Sequence, residues 1–304
     1  MEIVVGTRGS HLALTQTKWV VSQLEKANPT HQFSIKIIKT KGDLIQNVAL
    51  DKIGDKGVFV KEIEEQLLSK QIDLAIHSMK DMPSESTPGL CFAKVPKRED
   101  RRDVLVLKEG KINRLEDLKQ GAVIATGSKR RIYQLLKARP DLKIVPIRGN
   151  IDTRIRKIEE ENLDGVVLAA AGLHRIGLTE KIGYYLPETL LIPAPAQGAL
   201  GIQLRKNDAS VYTLVQGIEC IQDDLEVQAE RMFLKTVNGS CNISIGATAT
   251  LKEGKMQLSA LLGNEEGTQL VQATDVLDVS TTEEAWQLGK QLAEKILKEL
   301  SDER

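Results

Sequence analysis

Asp73-Leu74-Ala75-Ile76-His77-Ser78-Met79-Lys80-Asp81-Met82-Pro83-Ser84 changes character at its centre. Asp73–Ile76 is a short apolar run, the pattern of a strand buried on both faces, and a polar, charged loop follows without a spacer. The residues before it supply the rest of a unit. Ile3–Val5 reads as a first strand, and Leu12, Trp19, Val20 and Leu24 mark a helix. Phe33, Ile35 and Ile37 alternate as a strand, and Phe59, Ile63 and Leu67 recur at helical spacing. This alternation predicts a βαβ series and a mainly parallel sheet with helices on its faces. Asp43–Lys56, flanked and interrupted by glycines, reads either as a mobile lid or as a solvated loop.

A second series follows. Ala122–Ala125 and Ile144–Ile147 read as strands, Arg130–Lys137 and Thr153–Glu161 as helices, and Val166–Ala169 as a further strand. The two series match in places. Thr7-Arg8-Gly9-Ser10 parallels Thr126-Gly127-Ser128, and Asp73–His77 parallels Asp164–Leu168. A duplication of this kind predicts two similar α/β domains facing each other across a cleft. Beyond the Pro/Gly-rich Ile192–Gly201 the pattern is helical from about Ser210. Three alternating strands (Ile243–Leu251, Lys255–Leu262, Gln269–Val276) and a last helix, Thr282–Leu300, then make a smaller α+β domain.

In open α/β sheets ligands bind beyond the carboxyl ends of the strands. Those positions hold Arg8 and Ser10 after the first strand, and His77, Ser78, Lys80 and Asp81 after the third. In the second series they hold Thr126, Ser128, Arg130 and Arg131, then Arg148, Asn150 and Arg154, then His174 and Arg175. Arginine at a helix start opposes the helix dipole, and a bound anion relieves that conflict. A basic run such as Lys129–Lys157 is ordinarily a solvated helix face; placement at strand ends favours bidentate binding of carboxylate or phosphate. No Walker A or G-x-G-x-x-G sequence sits at a suitable turn, which argues against a nucleotide. Asp81 is the one acid among these cations. A lone Asp there is ordinarily a cap or an ion-pair partner; in a basic cleft it also suits stabilising a cation and moving protons. His77, ending a buried strand, reads as a structural hydrogen-bonder.

Cys241 lies in Asn238-Gly239-Ser240-Cys241-Asn242, a turn composition that presents its thiol on a tight loop. Cys91 and Cys220 sit in apolar or helical patterns, where burial is expected. A cysteine hydrolase built on Cys241 would need a histidine base, and none follows His174 in the sequence.

The bulk composition narrows the classes further. The 304 residues carry 28% charged side chains, 3% aromatic and zero net charge. Neither nucleic acid nor membrane is favoured as a partner, and no apolar stretch is long enough to span a bilayer. Scattered cysteines and the lack of a signal-peptide pattern fit a cytoplasmic protein. No Cys-x-x-Cys or histidine cluster suggests a metal.

Taken in order, several motifs resemble the porphobilinogen deaminase (hydroxymethylbilane synthase) family along essentially the whole chain. They are Gly6-Thr7-Arg8-x-Ser10, His77-Ser78-Met79-Lys80-Asp81-Met82-Pro83, Gly127-Ser128-x-Arg130-Arg131, Arg148-Gly149-Asn150-x-x-Thr153-Arg154, Leu168–Arg175, Gln197-Gly198-Ala199-x-Gly201 and Gly239-Ser240-Cys241. Gly9, Ser244 and His174 depart from that pattern, standing where a larger residue, Pro and Lys are usual.

The resemblance implies an α/β fold of three domains: 1–98 with 198–216, 99–197, and 217–304. The first two are like two-lobed anion-binding proteins. It implies a monomeric transferase that adds four porphobilinogen molecules head-to-tail, with loss of ammonia, to a dipyrromethane cofactor held covalently on the sulfur of Cys241. Asp81 would stabilise the azafulvenium cation left by the departing amine. Arg8, Ser10, Ser78, Lys80, Thr126, Ser128, Arg130, Arg131, Arg148, Asn150, Arg154 and Arg175 would bind the pyrrole carboxylates. The contrasting reading is a non-catalytic two-lobed binding protein for a small polyanion.

Overall fold

A computed structural model of the chain describes residues 2–40, 60–238, 243–264 and 269–302. Asp43–Lys56 and Cys241 lie outside the described residues. The chain forms two compact units, Met1–Glu99 with Ala199–Asp224, and Asp100–Gly198 with Leu225–Arg304.

The first unit holds a five-stranded sheet in the order β2-β1-β3-β10-β4. Its strands are β1 (Glu2–Thr7), β2 (Gln32–Ile37), β3 (Leu74–Ser78), β4 (Leu90–Phe92) and β10 (Leu200–Arg205). The second unit repeats that order as β7-β6-β8-β5-β9. Its strands are β5 (Asp103–Leu107), β6 (Val123–Ala125), β7 (Lys143–Val145), β8 (Gly165–Ala169) and β9 (Ile182–Tyr185). In each sheet the first three strands are parallel, and the last two pairings are antiparallel. The sheets are therefore mixed rather than mainly parallel. The difference comes from β10 and β5, each inserted next to the strand that ends its own βαβ series.

The duplication extends to side chains. Asp73 accepts the Val4 N–H through Oδ2 at 3.0 Å and donates its own N–H to the Val4 carbonyl. Asp164 does the same with Val123, at 2.8 Å. Each carboxylate thus registers the third strand of its series against the first.

Period-2 alternation loads both faces of each sheet, so the strands read as continuous apolar runs. Ile3, Val5, Leu74 and Ile76 join one cluster, while Ala75 joins another with Ile38, Ile63 and Leu67. In the second unit Val104, Ala125, Val166 and Leu168 face one way, and Leu105, Ile124 and Val167 the other.

Helices cover these faces: α1 (His11–Ala27) and α2 (Lys61–Leu68) in the first unit, and α3 (Lys129–Ala138), α4 (Ile151–Glu160) and α5 (Ala170–Arg175) in the second. Helix α6 (Ala209–Gln216) adds Val211, Leu214 and Val215 to the first unit's core.

A separate core fills the C-terminal part. Strands β11 (Ile245–Lys252), β12 (Lys255–Gly263) and β13 (Leu270–Asp278) form an antiparallel meander. Helix α7 (Ile221–Thr236) brings Leu225, Ala229 and Phe233 to it at four-residue spacing, and α8 (Thr282–Asp302) brings Leu288, Leu292 and Ile296. The two helices meet at Gly289, where a β-carbon would stand 3.0 Å from Met232 Cβ and from the Phe233 nitrogen, and closer still to the Ala229 carbonyl oxygen. Gly→Ala in an open helix gains about 1 kcal/mol. Here Gly289→Ala is expected to lower the urea unfolding midpoint instead; an unchanged or higher midpoint contradicts this packing.

Candidate functional site

In the first unit, β1 and β3 are parallel neighbours (Val5 opposite Leu74, Gly6 opposite Ala75), so their carboxyl ends share one edge of the sheet. Beyond β1 the chain passes through half-exposed Arg8 to Ser10, which caps α1 by accepting the Ala13 N–H at 3.3 Å. Beyond β3 comes a 3-10 turn, Met79–Asp81, anchored by the buried Met79 side chain and by its N–H on the Ala199 carbonyl. Ser78 Oγ lies 3.1 Å from each terminal atom of the Gln16 amide, which ties the start of α1 to the end of β3. Arg8, Ser10, Ser78, Lys80 and Asp81 therefore gather at this edge. Lys80 is half-buried and Asp81 exposed.

His77 sits beneath them. Its Nε2 lies 3.1 Å from Gln203 Oε1, and the Gln203 amide donates to Glu64 Oε1 at 2.8 Å. The Gln203 amide nitrogen is thus the donor to Glu64, so its oxygen accepts from an Nε2–H tautomer of His77. Burial, assisted by the charge of Arg8 and opposed by the Gln203 bond, lowers the His77 pKa to about 4. The side chain is neutral and structural, as its position in the sequence suggests.

In the second unit β6 pairs parallel with β7 and β8, and again the carboxyl ends share an edge. Thr126 is buried and its Oγ1 accepts the Ser128 N–H at 3.3 Å. Asn150 caps α4 by accepting the Thr153 N–H at 2.9 Å, and Arg154 Nε donates to the Gly149 carbonyl at 2.8 Å. Gly149 has φ +114°, and a β-carbon there would come within 2.7 Å of Thr153 Cγ2. Only glycine suits that turn. Arg148 is exposed, and Arg175 donates to the Gly198 carbonyl at 2.6 Å.

Arg130 and Arg131 depart most from expectation. They are 5% and 7% exposed and converge on Asp103, which is 0% exposed. Arg131 places Nε (3.1 Å) and Nη2 (2.6 Å) on Asp103 Oδ1 and Nη1 on the Val167 carbonyl. Arg130 uses only Nη1, which donates to Asp103 Oδ2 and to the Ile192 carbonyl, both at 2.7 Å. Its Nε and Nη2 meet no acceptor among the described residues. The two guanidinium groups hold the Asp103 carboxyl well below the usual carboxylate range against the opposing effect of burial, whereas burial lowers the Arg130 pKa.

The rest of the basic run divides. Arg139 secures Asp141 and the carbonyls of Leu115 and Leu118, and Arg156 and Lys157 pair with Glu160 and Glu161 along α4. These are structural or solvated, as a charge run ordinarily is.

Sequence reasoning missed Asp103 and Gln197, whose Nε2 adds a 3.0 Å bond to Asp103 Oδ1. The available signal was a lone acid opening an apolar strand directly after Arg101 and Arg102. Cys91 and Cys220 are half-exposed rather than buried. Cys91 lies on the edge strand β4, and Cys220 just before the first turn of α7. Burial pushes both thiols up. Among the described residues no group of three or more His, Cys, Asp or Glu is placed to hold a metal, and no helix is long and apolar enough to cross a membrane.

A histidine held neutral at about 4 in the fold but titrating near 6.5 when unfolded loses stability as pH falls between those values. By pH 5 the loss is about 2 kcal/mol. His77→Gln should therefore show a correspondingly smaller drop in unfolding free energy from pH 7 to pH 5 than the parent protein. Parallel pH profiles for the two would contradict a buried neutral His77.

The chain matches two family models: porphobilinogen deaminase, dipyromethane cofactor binding domain, over residues 3–213, and porphobilinogen deaminase, C-terminal domain, over residues 225–298. Similar curated proteins bear one name. The porphobilinogen deaminase of Clostridioides difficile (strain 630) is 56% identical over 98% of this chain and 98% of its own. That of Clostridium novyi (strain NT) is 51% identical over 99% and 100%. That of Oceanobacillus iheyensis is 46% identical over 97% and 94%. With both sheets, their cation-bearing edges and the C-terminal domain accounted for, the chain belongs to the porphobilinogen deaminase family.

Proposed function

We propose that Asp81 does the proton and charge work of a porphobilinogen polymerisation, and that the strand-end arginines hold the carboxylates of the growing chain. The enzyme joins porphobilinogen units head-to-tail onto a covalent dipyrromethane primer with loss of ammonia, and water releases hydroxymethylbilane. We assign the primer's anchor to Cys241 and the domain boundaries to 1–98 with 198–216, 99–197, and 217–304.

The observation that carries this reading is the separation of charge. A chain of zero net charge collects guanidinium, ammonium and hydroxyl groups at the carboxyl edges of both sheets, with one exposed acid, Asp81, in the first unit's set. Each porphobilinogen brings an acetate and a propionate, so every addition increases the negative charge to be held. The donor set fits such a group. Arg130 has an unbonded Nε–Nη2 edge, and Arg148 and Arg154 stand at the next strand end. Guanidinium groups suit planar carboxylates through paired N–H bonds. The primer, when bound, supplies an electron-rich pyrrole carbon as the site of the first addition.

Departure of the substrate amine leaves positive charge on its pyrrole. A carboxylate opposite that ring stabilises the charge where it develops. Asp81 sits in a tight turn braced by Met79 and next to Lys80, so its position is fixed by the backbone and not by a long flexible stem. It can also take up the proton at the pyrrole nitrogen and return one to the leaving amine. His77 lies buried beneath this edge with its Nε2 engaged by Gln203, which fits a structural role.

Asp81→Asn keeps size and removes the charge. It is expected to lower kcat for porphobilinogen consumption by at least about a hundredfold, with the unfolding midpoint unchanged. Ammonia release and tetrapyrrole formation, assayed together, measure the effect; near-parental turnover would remove Asp81 from this role.

A further inference from the structure

Asp81 stands between two methionines. Met79 and Met82 are buried, Asp81 is exposed, and the Met82 N–H closes the turn on the Met79 carbonyl at 3.1 Å. The turn is thus held at both ends and presents its carboxylate outward. Beneath Met79 lies a position without a side chain. Strand β10 runs antiparallel to β3 with Gly201 opposite His77, and the Met79 N–H donates to the Ala199 carbonyl at 3.0 Å. A β-carbon on Gly201 would stand 3.0 Å from Met79 Sδ and 3.0 Å from Phe92 Cε1. Those two side chains fill the space that any other residue at 201 would need. Gly201 is not among the glycines with positive φ, so space and not backbone conformation calls for glycine here. Glycine inside a strand otherwise weakens it, and often marks a close approach. Phe92 is held in turn by β4, opposite Gln203, and by an edge-on contact with the His77 ring, centroids 6.3 Å apart.

We propose that Gly201 and Met79 are positioning residues for Asp81. The bare α-carbon lets Met79 seat beside Phe92, and the depth of that seat sets where the turn holds the carboxylate. An added methyl at 201 meets a rigid ring on one side and a flexible methionine on the other, so the methionine yields. Met79 is the first residue of the turn, and its displacement carries the backbone of Asp81 with it. Shifts well under the size of an atom matter where a charge must face a developing cation. The inference rests on the reading of Asp81 as that charge.

The test uses the primed holoenzyme with Met79→Ala, Met79→Leu, Gly201→Ala, and Gly201→Ala combined with Met79→Ala. Three quantities are read: kcat per primed chain (the primer counted by intact mass), KM for porphobilinogen, and hydrogen exchange in the peptide carrying Met79–Met82. Met79→Ala is expected to lower kcat about tenfold, with KM within about twofold of the parent, and to speed exchange in the turn. Met79→Leu, close in volume, should recover most of kcat. Gly201→Ala should lower kcat severalfold in the parent and add nothing to Met79→Ala, because the methyl then meets an emptied seat. A merely stabilising methionine would lower the unfolding midpoint and leave kcat per primed chain and turn exchange unchanged; that result overturns the inference. An undiminished effect of Gly201→Ala on the Met79→Ala background overturns it too. Met79→Ala on the Asp81→Asn background should cost no further kcat. Parental turnover by Asp81→Asn would remove the reading beneath the inference, whereas an impaired Asp81→Asn beside a fully active Met79→Ala would remove the inference alone. If Met79→Ala does not fold, Gly201→Ala decides through the same three quantities.

Discussion

Parallel pairing of the first three strands in each sheet is the constraint on which the site depends. In a parallel pair the strands finish on the same edge, so the residues after β1 and β3, or after β6, β7 and β8, are delivered to one place however far apart they lie in the chain. Asp73 and Asp164 fix the register of that pairing by binding the backbone of Val4 and Val123. Buried alternation on both faces then leaves no freedom to slip, since a one-residue shift would exchange the two cores. The helix starts that follow add oriented N–H groups to the same edge.

Charge is the second layer. The chain is neutral as a whole, and several of its acids serve as structural partners. Asp141 holds Arg139, Asp208 holds Arg205, and Glu226 and Glu188 hold Arg101. Arg101 also reaches Thr250 Oγ1 at 2.7 Å and the Ala249 carbonyl. Glu230, fully buried, accepts the N–H groups of Ala196 and Ala249, so the segment before Gln197 and the strand β11 are secured by one carboxylate. Asp103 belongs to this class too, but it supports a guanidinium with an open edge. The basic run of the second unit thus combines solvated, structural and inward-facing arginines, and only bonding geometry separates them.

Much of the fold was legible because apolar periodicity is strong where strands are buried on both faces: Leu74–Ile76 and Val166–Leu168 could hardly be anything else. The inserted strands were harder. Leu200–Arg205 carries Gly201 and Gln203 in its interior, and β5 gives no hint that it enters antiparallel. Direction is a property of the chain's route, which periodicity does not encode. Likewise Arg8, Ser10, Ser78, Lys80 and Asp81 could be placed at one edge from strand ends alone. The division of labour between Arg130 and Arg131 could not, because it arises where Asp103, Val167, Ile192 and Gln197, far apart in sequence, converge. The helix-capping bonds of Ser10 and Asn150, which accept the Ala13 and Thr153 N–H groups, were likewise not read from the sequence.

These observations alter the meaning of the thiol at Cys241. A cysteine on a turn suggests a nucleophile used in each catalytic cycle, whereas the function proposed above gives the repeated chemistry to Asp81. On that proposal the cysteine is a permanent anchor. Intact-mass measurement of the purified protein tests this most directly. The account predicts a stable covalent addition equal to two linked pyrrole units on the parent chain and none on Cys241→Ser. An unmodified parent chain that turns over porphobilinogen, or the same addition on Cys241→Ser, would contradict it.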